Sequence, residues 1–272
     1  MKKILCLLLS LILVVSLLGC AREVPTETAP TTDPTTAPTT APTTEATEPT
    51  IEPTTEATEP PTEPKALQHS GLREDGSFDE GTWFIGDSMT CILVKNYLEP
   101  HGLIGDAYYS AKYGEHITAF FGDRVMDPYY GYKIAYRPEH EGLHYYEIAE
   151  DLGERATAIY MMFGTNFTWD CYADGYIEIV DFLLVTCPNA TIHLQLIPQG
   201  YEKYVKYDTV NEWIWEAYAH YQELGEERVF LIDTFHAIGE NHDSGHIHLN
   251  EQGNENWYNA IVEHARTNGL VQ

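Results

Sequence analysis

The stretch "TWFIGDSMT", residues 82–90, places a Gly-Asp-Ser turn directly after a short apolar run. The run "TWFIG" predicts a buried strand, and the residues after Ser88 have helical periodicity. Ser88 would then lie at a strand-to-helix turn with its backbone N–H at the start of a helix, where an oxyanion can be bound. Gly-Asp-Ser is also an ordinary turn and cap composition, so this motif alone leaves two roles open, nucleophile or turn residue.

Further along the chain, apolar runs alternate with helical patterns. Strands are predicted at 157–164 ("TAIYMMFG"), 191–198 ("TIHLQLIP") and 228–233 ("RVFLID"), and helices at 171–187, at 207–224 and from Asn250, which can cap the last helix. This alternation predicts an α/β fold with a central parallel sheet flanked by helices, in which reacting groups gather beyond the carboxyl ends of the strands. The tyrosine-rich segment 121–150 fits the rhythm poorly and is predicted to be an insertion or long loop near the site.

The N-terminal part of the chain has the composition of an export signal followed by a tether. Residues 1–20 carry two lysines, an apolar run and "LLGC", a layout typical of a secretory signal. The ending resembles a bacterial lipobox, which implies lipidation of Cys20; an uncleaved membrane anchor is the alternative. Residues 21–65 are nearly all Thr, Pro, Glu and Ala and predict a disordered tether, because they have little apolar surface to bury. Residues 66–272 are then one domain outside the cytoplasm.

The charge of the chain limits its partners. The formal net charge is −27, and most of it falls after residue 65. Such a field repels phosphate backbones and anionic lipid surfaces, so we expect no nucleic-acid partner and contact with a membrane only through the N-terminal lipid anchor.

Two more polar segments follow predicted strands. In "MMFGTNF" the Asn166 amide follows a strand end, where it could bind developing negative charge. In "ENHDSGHIHLNEQGNENWY" an acid and several imidazoles precede the last helix, at the same edge of the sheet, where a base could reach Ser88.

Together these segments resemble, in order, the blocks of the SGNH (GDSL-type) hydrolase family, over residues 80–268. The resemblance implies a three-layer, flavodoxin-like fold and a serine esterase that needs no cofactor. It implies that Ser88 is the nucleophile and that the Ser88 N–H, the Gly114 N–H and Asn166 form the oxyanion hole. Gly114 is matched through "SAKYGEHIT". Phe167 stands where the family often has Asp, which suggests a reshaped pocket.

The base can be either of two histidines. Asp243 and His246 have the family's Asp-x-x-His spacing, whereas the usual His-Leu-Asn continuation belongs to His248. Because Asn250 caps the next helix and fixes the chain two residues after His248, we take His248 as the base, Asp243 as its orienting partner and His246 as the alternative base.

Two other readings of the chain compete with a serine esterase. His236, His242, His246, His248 and Asp243 form a dense cluster with zinc-like ligands, but a metal site would not explain the Ser88 and Asn166 turns, so none is predicted. The expected substrate is a small-molecule or glycan ester, with short acyl or O-acetyl groups on polysaccharide favoured by the tether and the tyrosines. A lipase or thioesterase of the same fold, or a surface lipoprotein that binds glycans without cleaving them, is the alternative.

Overall fold

The computed structural model describes residues 69–122, 134–136, 140, 142–166, 173–199, 206–243 and 248–271. The predicted signal segment, Cys20, the tether, Phe167 and His246 lie outside the described residues. Within the described part of the chain, no helix is both long enough and apolar enough to cross a membrane.

One six-stranded sheet forms the centre of the domain. Its strands are β1 (Thr82–Gly86), β2 (Tyr108–Lys112), β3 (Ile134–Tyr136), β4 (Ala158–Met162), β5 (Thr191–Gln195) and β6 (Val229–Ile232). They lie in the order β3-β2-β1-β4-β5-β6, and all neighbours are parallel except β2 and β3. Numbered alone, the five parallel strands run 2-1-3-4-5, the flavodoxin-like arrangement. The predicted α/β fold is confirmed.

Helices pack around this sheet. They are α1 (Ser88–Ile92), α2 (Ala119–Gly122), α3 (Tyr145–Leu152), α4 (Ala173–Thr186), α5 (Tyr207–Leu224), α6 (Thr234–Ile238) and α7 (Glu251–Thr267). A π-helical segment, Leu93–Leu98, continues α1, and its bond from the N–H of Glu99 to the carbonyl of Val94 spans five residues. The predicted boundaries of α5 are confirmed at both ends, and Asn250 is the N-cap of α7, accepting a hydrogen bond from the N–H of Gly253.

The core lies on both faces of the parallel strands, because every residue of β1, β4 and β5 is buried. Two tryptophans are fully buried with their indole N–H groups satisfied. Trp83 donates to the hydroxyl of Ser110 at 3.1 Å, and Trp257 donates to the side-chain oxygen of Gln195 at 2.6 Å. A large apolar side chain buried in this way stabilises the fold by about 1.5–3 kcal/mol.

Several elements were missed by the sequence patterns. The strand β2, "YYSAK", lacks the branched apolar residues that mark its neighbours, yet Ser110 and Lys112 are both buried. The segment 121–150 is also not simply a loop, since it contains the edge strand β3 and most of α3. The first turn of α3 is closed by a capping box in which the side chain of Glu147 accepts from the N–H of His144.

Candidate active site

Ser88 is the first residue of the helix that leaves β1, at the carboxyl edge of the sheet, and is 5% exposed. The turn that carries it packs closely against the end of β4. A Cβ atom on Gly86 would lie 2.2 Å from both the carbonyl oxygen of Met162 and the hydroxyl of Thr90. Glycine at this position therefore allows β1 to end close enough to β4 for the two following turns to meet.

Asp87, between that glycine and Ser88, joins the two turns. Its side chain is fully buried, and its Oδ1 accepts a hydrogen bond from the N–H of Met89 at 2.9 Å, which makes it the N-cap of α1. Its Oδ2 accepts from both the N–H and the hydroxyl of Thr165, at 3.0 and 2.6 Å. Burial raises the pKa of Asp87 to about 6, although the hydrogen bonds from Thr165 and Met89 and the charge of His116 act in the opposite direction.

Asn166 extends from the turn that follows β4. That turn begins at Gly164, whose φ of +117° favours glycine and whose Cβ would lie 2.5 Å from a methyl group of Val210. The side-chain amide of Asn166 donates to the backbone carbonyl of Glu115 at 3.1 Å. An amide carries two N–H groups, so this bond holds the side chain in place and leaves a second donor.

Gly114 lies in the turn that follows β2. The N–H of Glu115 donates to the carbonyl of Lys112 at 3.3 Å, and Gly114 at the third position has a φ of +76°. A positive φ at this position of a four-residue turn favours glycine. A buried ion pair between Lys112 and Glu115, 3.4 Å apart, closes the same turn. The Asn166–Glu115 bond thus brings two of the residues that the sequence assigned to an oxyanion hole onto neighbouring, connected turns.

His248 and Asp243 face each other across a loop that enters α7. The N–H of Asp243 donates to the carbonyl of His248 at 2.7 Å, and His242 pairs with Leu249 in an antiparallel bridge. Asn250 closes the loop, because its N–H donates to the carbonyl of Asn241 and its side-chain amide donates to the carbonyl of His242 at 3.0 Å. These backbone bonds keep Asp243 and His248 adjacent.

Tyr113 connects this loop to the rest of the site. Its ring stacks on the imidazole of His248, with centroids 5.2 Å apart and planes inclined by 24°. Burial, with added effects from Cys91 and Asp243, raises the pKa of Tyr113 to about 12. Cys91 lies on α1, one turn after Ser88, and Tyr113 immediately precedes Gly114. The loop of the predicted base therefore lies against the same edge as the Ser88 and Gly114 turns.

The residues that sequence reasoning missed are Asp87 and Tyr113. Asp87 was part of the quoted motif, and an aspartate before a helical serine is an N-cap signal, but nothing local indicated its bonds to Thr165. Among the described residues, no group of three or more His, Cys, Asp or Glu side chains is arranged to hold a metal ion. The metal alternative also included His246, which lies outside the described residues.

No protein-family model matches the chain, and no curated protein matches it either. Solved structures similar to it include a family 3 carbohydrate esterase from Talaromyces cellulolyticus (16% identity, 68% of this chain and 96% of that one, TM-score 0.41). Others are a member of the lipolytic G-D-S-L family from Veillonella parvula (16%, 67% and 96%, 0.43) and a family two carbohydrate esterase from Clostridium thermocellum in complex with cellohexaose (15%, 76% and 66%, 0.48). Because these sequence identities and TM-scores are low, the fold is assigned from the order of the strands in the sheet, and the proposed chemistry is argued from the residues of the site.

Proposed function

We propose that this protein is a serine esterase that hydrolyses carboxylic esters, with short acyl or O-acetyl groups on polysaccharide as the favoured substrates. The observation that carries the proposal is the joining of three turns at the carboxyl ends of β1, β2 and β4. The Asp87–Thr165 bonds connect the Ser88 turn to the Asn166 turn, and the Asn166–Glu115 bond connects the latter to the Gly114 turn. This edge, at the reversal of strand order between β1 and β4, is where ligands bind in such sheets.

In this mechanism the Ser88 hydroxyl attacks the ester carbonyl while His248 accepts its proton. The negative charge on the tetrahedral oxygen is bound by the N–H groups of Ser88 and Gly114 and by the second N–H of Asn166. The imidazolium of His248 then protonates the leaving alcohol, and water, deprotonated by the same imidazole, releases the acid from the acyl-enzyme. Asp243 lies beside His248 through the 2.7 Å backbone bond and would stabilise the imidazolium.

The test is cleavage of a chromogenic acetate ester by the wild type and by Ser88→Ala. We expect Ser88→Ala to lose at least about 10³-fold in kcat while remaining folded, because the nucleophile is removed. Ser77→Ala is the matched control, since Ser77 is a buried serine whose hydroxyl bonds to Asp75, away from the site. Undiminished hydrolysis by Ser88→Ala would reject the proposal. An inactive wild type that still retains polysaccharide would favour the non-catalytic glycan binder.

Three further variants assign the oxyanion hole and the base. Asn166→Ala should lower kcat by about 10²–10³-fold, the effect of losing one oxyanion donor. His248→Ala and His246→Ala should differ, with activity lost only in the former. Loss confined to His246→Ala would reassign the base to the residue with the Asp-x-x-His spacing.

We also propose that the mature protein is anchored through a lipid on Cys20 at the outer face of a bacterial membrane. The sequence "LLGC" and the composition of residues 21–65 support this location. Detergent phase partitioning tests it, because Cys20→Ala should move the protein from the detergent phase to the aqueous phase. Cys6→Ala is the control, since Cys6 lies inside the signal segment and should leave the partitioning unchanged. Equal partitioning of both variants would contradict lipidation at Cys20.

A further inference from the structure

The buried carboxylate of Asp87 spans the two turns that carry Ser88 and Asn166. Backbone pairing between β1 and β4 ends at Gly86 and Met162, and the N–H of Asp87 adds one last bond to the carbonyl of Met162 at 3.2 Å. Among the described residues, the hydrogen bonds that join the two turns beyond this point run from Thr165 to Oδ2 of Asp87. The separation of the turns is therefore set by a side chain.

The two oxygens of this carboxylate have different tasks. Oδ1 bonds to the N–H of Met89, within the turn that carries Ser88. Oδ2 bonds to Thr165, the residue immediately before Asn166. A shift of Thr165 away from Asp87 would displace the Asn166 amide relative to the Ser88 hydroxyl, and misplacement of a catalytic group by about 1 Å can lower a rate by about 10²-fold.

We propose that Asp87 is a positioning residue, which acts through Thr165 to set the distance between the Ser88 hydroxyl and the Asn166 amide. This inference rests on the proposed function, because it assigns a role only if Ser88 and Asn166 act on the same ester. Asp87 itself is fully buried and already has donors on both oxygens, so it is not assigned contact with the substrate.

The proton state of Asp87 determines whether it can perform this role. Its three donors are the N–H of Met89 and the N–H and hydroxyl of Thr165, which all require an acceptor. Protonation would place a fourth hydrogen among these donors, so the ionised form is the one that holds the two turns. The titratable group that acts on it is His116, from the turn after β2, and its hydrogen-bond partners on α1 and in the β4 turn, Met89 and Thr165, are neutral. Burial raises the pKa of Asp87 to about 6. Activity should therefore fall in mildly acidic solution, as the carboxylate becomes protonated.

Thr165→Val and Thr165→Ser test this role without changing the carboxylate. Valine keeps the shape of threonine but removes the hydroxyl donor, whereas serine keeps the donor. We expect Thr165→Val to lower kcat for a chromogenic acetate ester by about 10–100-fold with KM within about twofold. Loss of the donor also destabilises the ionised carboxylate, so the acidic limb of the pH–kcat profile should move to higher pH. Thr165→Ser should restore kcat to within about threefold of the wild type, with the limb in its original position.

Thr267→Val, an exposed change on α7, controls for the substitution itself, and circular dichroism checks that each variant is folded. A Thr165→Val protein with the kcat and pH profile of the wild type would overturn the inference, as would Thr165→Ser matching Thr165→Val. Asp87→Asn is a second variant, expected to lose more activity because an amide has only one acceptor oxygen and cannot accept from both Met89 and Thr165. If Ser88→Ala retains activity, the proposed function fails; if Ser88→Ala is inactive and Thr165→Val is normal, only the role of Asp87 fails.

Discussion

The phenol ring of Tyr113 lies against the imidazole of His248, with centroids 5.2 Å apart and planes inclined by 24°. This pair connects the turn that carries Gly114 with the loop that carries the predicted base. An aromatic face favours a cation above it by about 0.5–1 kcal/mol at partly exposed sites, so the contact should stabilise the imidazolium of the proposed mechanism.

Tyr113→Leu should therefore lower kcat by about tenfold, because it removes the aromatic face that favours the charged ring and the contact that holds the imidazole. Hydrolysis of a chromogenic acetate ester measures the loss. Tyr113→Phe keeps the ring and should behave as the wild type. Equal kcat values for the leucine and phenylalanine variants would show that the ring contact has no effect on the reaction.

Asn250 has two separable tasks, the cap of α7 and the closure of the base loop. Asn250→Ala should reduce the free energy of unfolding by about 1–2 kcal/mol, the usual effect of losing an N-cap. Asn250→Asp keeps the acceptor for the N–H of Gly253 but loses the donor to the carbonyl of His242. It should keep most of the stability and still hydrolyse esters more slowly. Urea unfolding and kcat, measured on both variants, check the separation, which fails if Asn250→Asp has full activity.

Gly86→Ala should be strongly destabilising, because the new Cβ would lie 2.2 Å from the carbonyl of Met162. Overpacking of this kind reduces the free energy of unfolding by about 1–3 kcal/mol. Gly175→Ala is the matched control on α4, where a Cβ meets no atom within 4 Å. That variant should gain up to about 1 kcal/mol from helix propensity. Urea unfolding of the two proteins measures the contrast, and equal stabilities would mean that β1 does not end as close to β4 as described.

Histidines buried in the core should make the protein sensitive to acid. His193 is fully buried between the rings of Tyr160 and Phe230, and burial, His264 and His69 hold its pKa well below the usual value. Burial also lowers the pKa of His264 to about 4. The folded state then binds fewer protons than the unfolded state, so stability is full above about pH 6.5 and falls as the pH drops towards 4. The raised pKa of Asp87 opposes this trend, because the folded state binds a proton at this carboxyl more tightly than the unfolded state does.

His264→Leu should remove one of the titrating groups that make the stability depend on pH. Between pH 4 and 6.5, the free energy of unfolding should then depend on pH less steeply by up to about 1.4 kcal/mol per pH unit. Urea unfolding at a series of pH values measures the slope. An unchanged slope in the variant would mean that His264 has the same proton affinity in the folded and unfolded states.

Much of the fold was predictable, because β1, β4, β5 and β6 lie in mainly apolar runs and α5 has a clear helical period. The strand β2 was not, since it contains buried polar residues, and the partner of Ser110 lies far away in the chain. Ser110 accepts from the indole of Trp83, and no pattern in "YYSAK" reveals that bond. Likewise the N-cap of α3 is His144, which is a less common capping residue than Ser, Thr, Asp or Asn.

The same limit applies to the candidate site. Ser88 and Asn166 could be chosen because each follows an apolar run, and parallel strands bring such ends to one edge. The bonds of Asp87 to Thr165 cross 78 positions of the sequence, and the stacking of Tyr113 on His248 crosses a longer interval. Contacts of this kind depend on the order of strands in the sheet, which alternation alone does not specify.

The π-helical segment Leu93–Leu98 gives the helix that starts at Ser88 a spare residue. A backbone hydrogen bond that spans five residues encloses one more residue than the α-helical bond that spans four. Lys95 and Asn96 are exposed in this segment, while Leu93 and Leu98 are buried on its inner side. Loss of one outward-facing residue could be absorbed by tightening to ordinary α-helical pairing, with the inner contacts kept in register. The chain between Ser88 and the next strand should therefore tolerate a change of one residue in length without moving the serine.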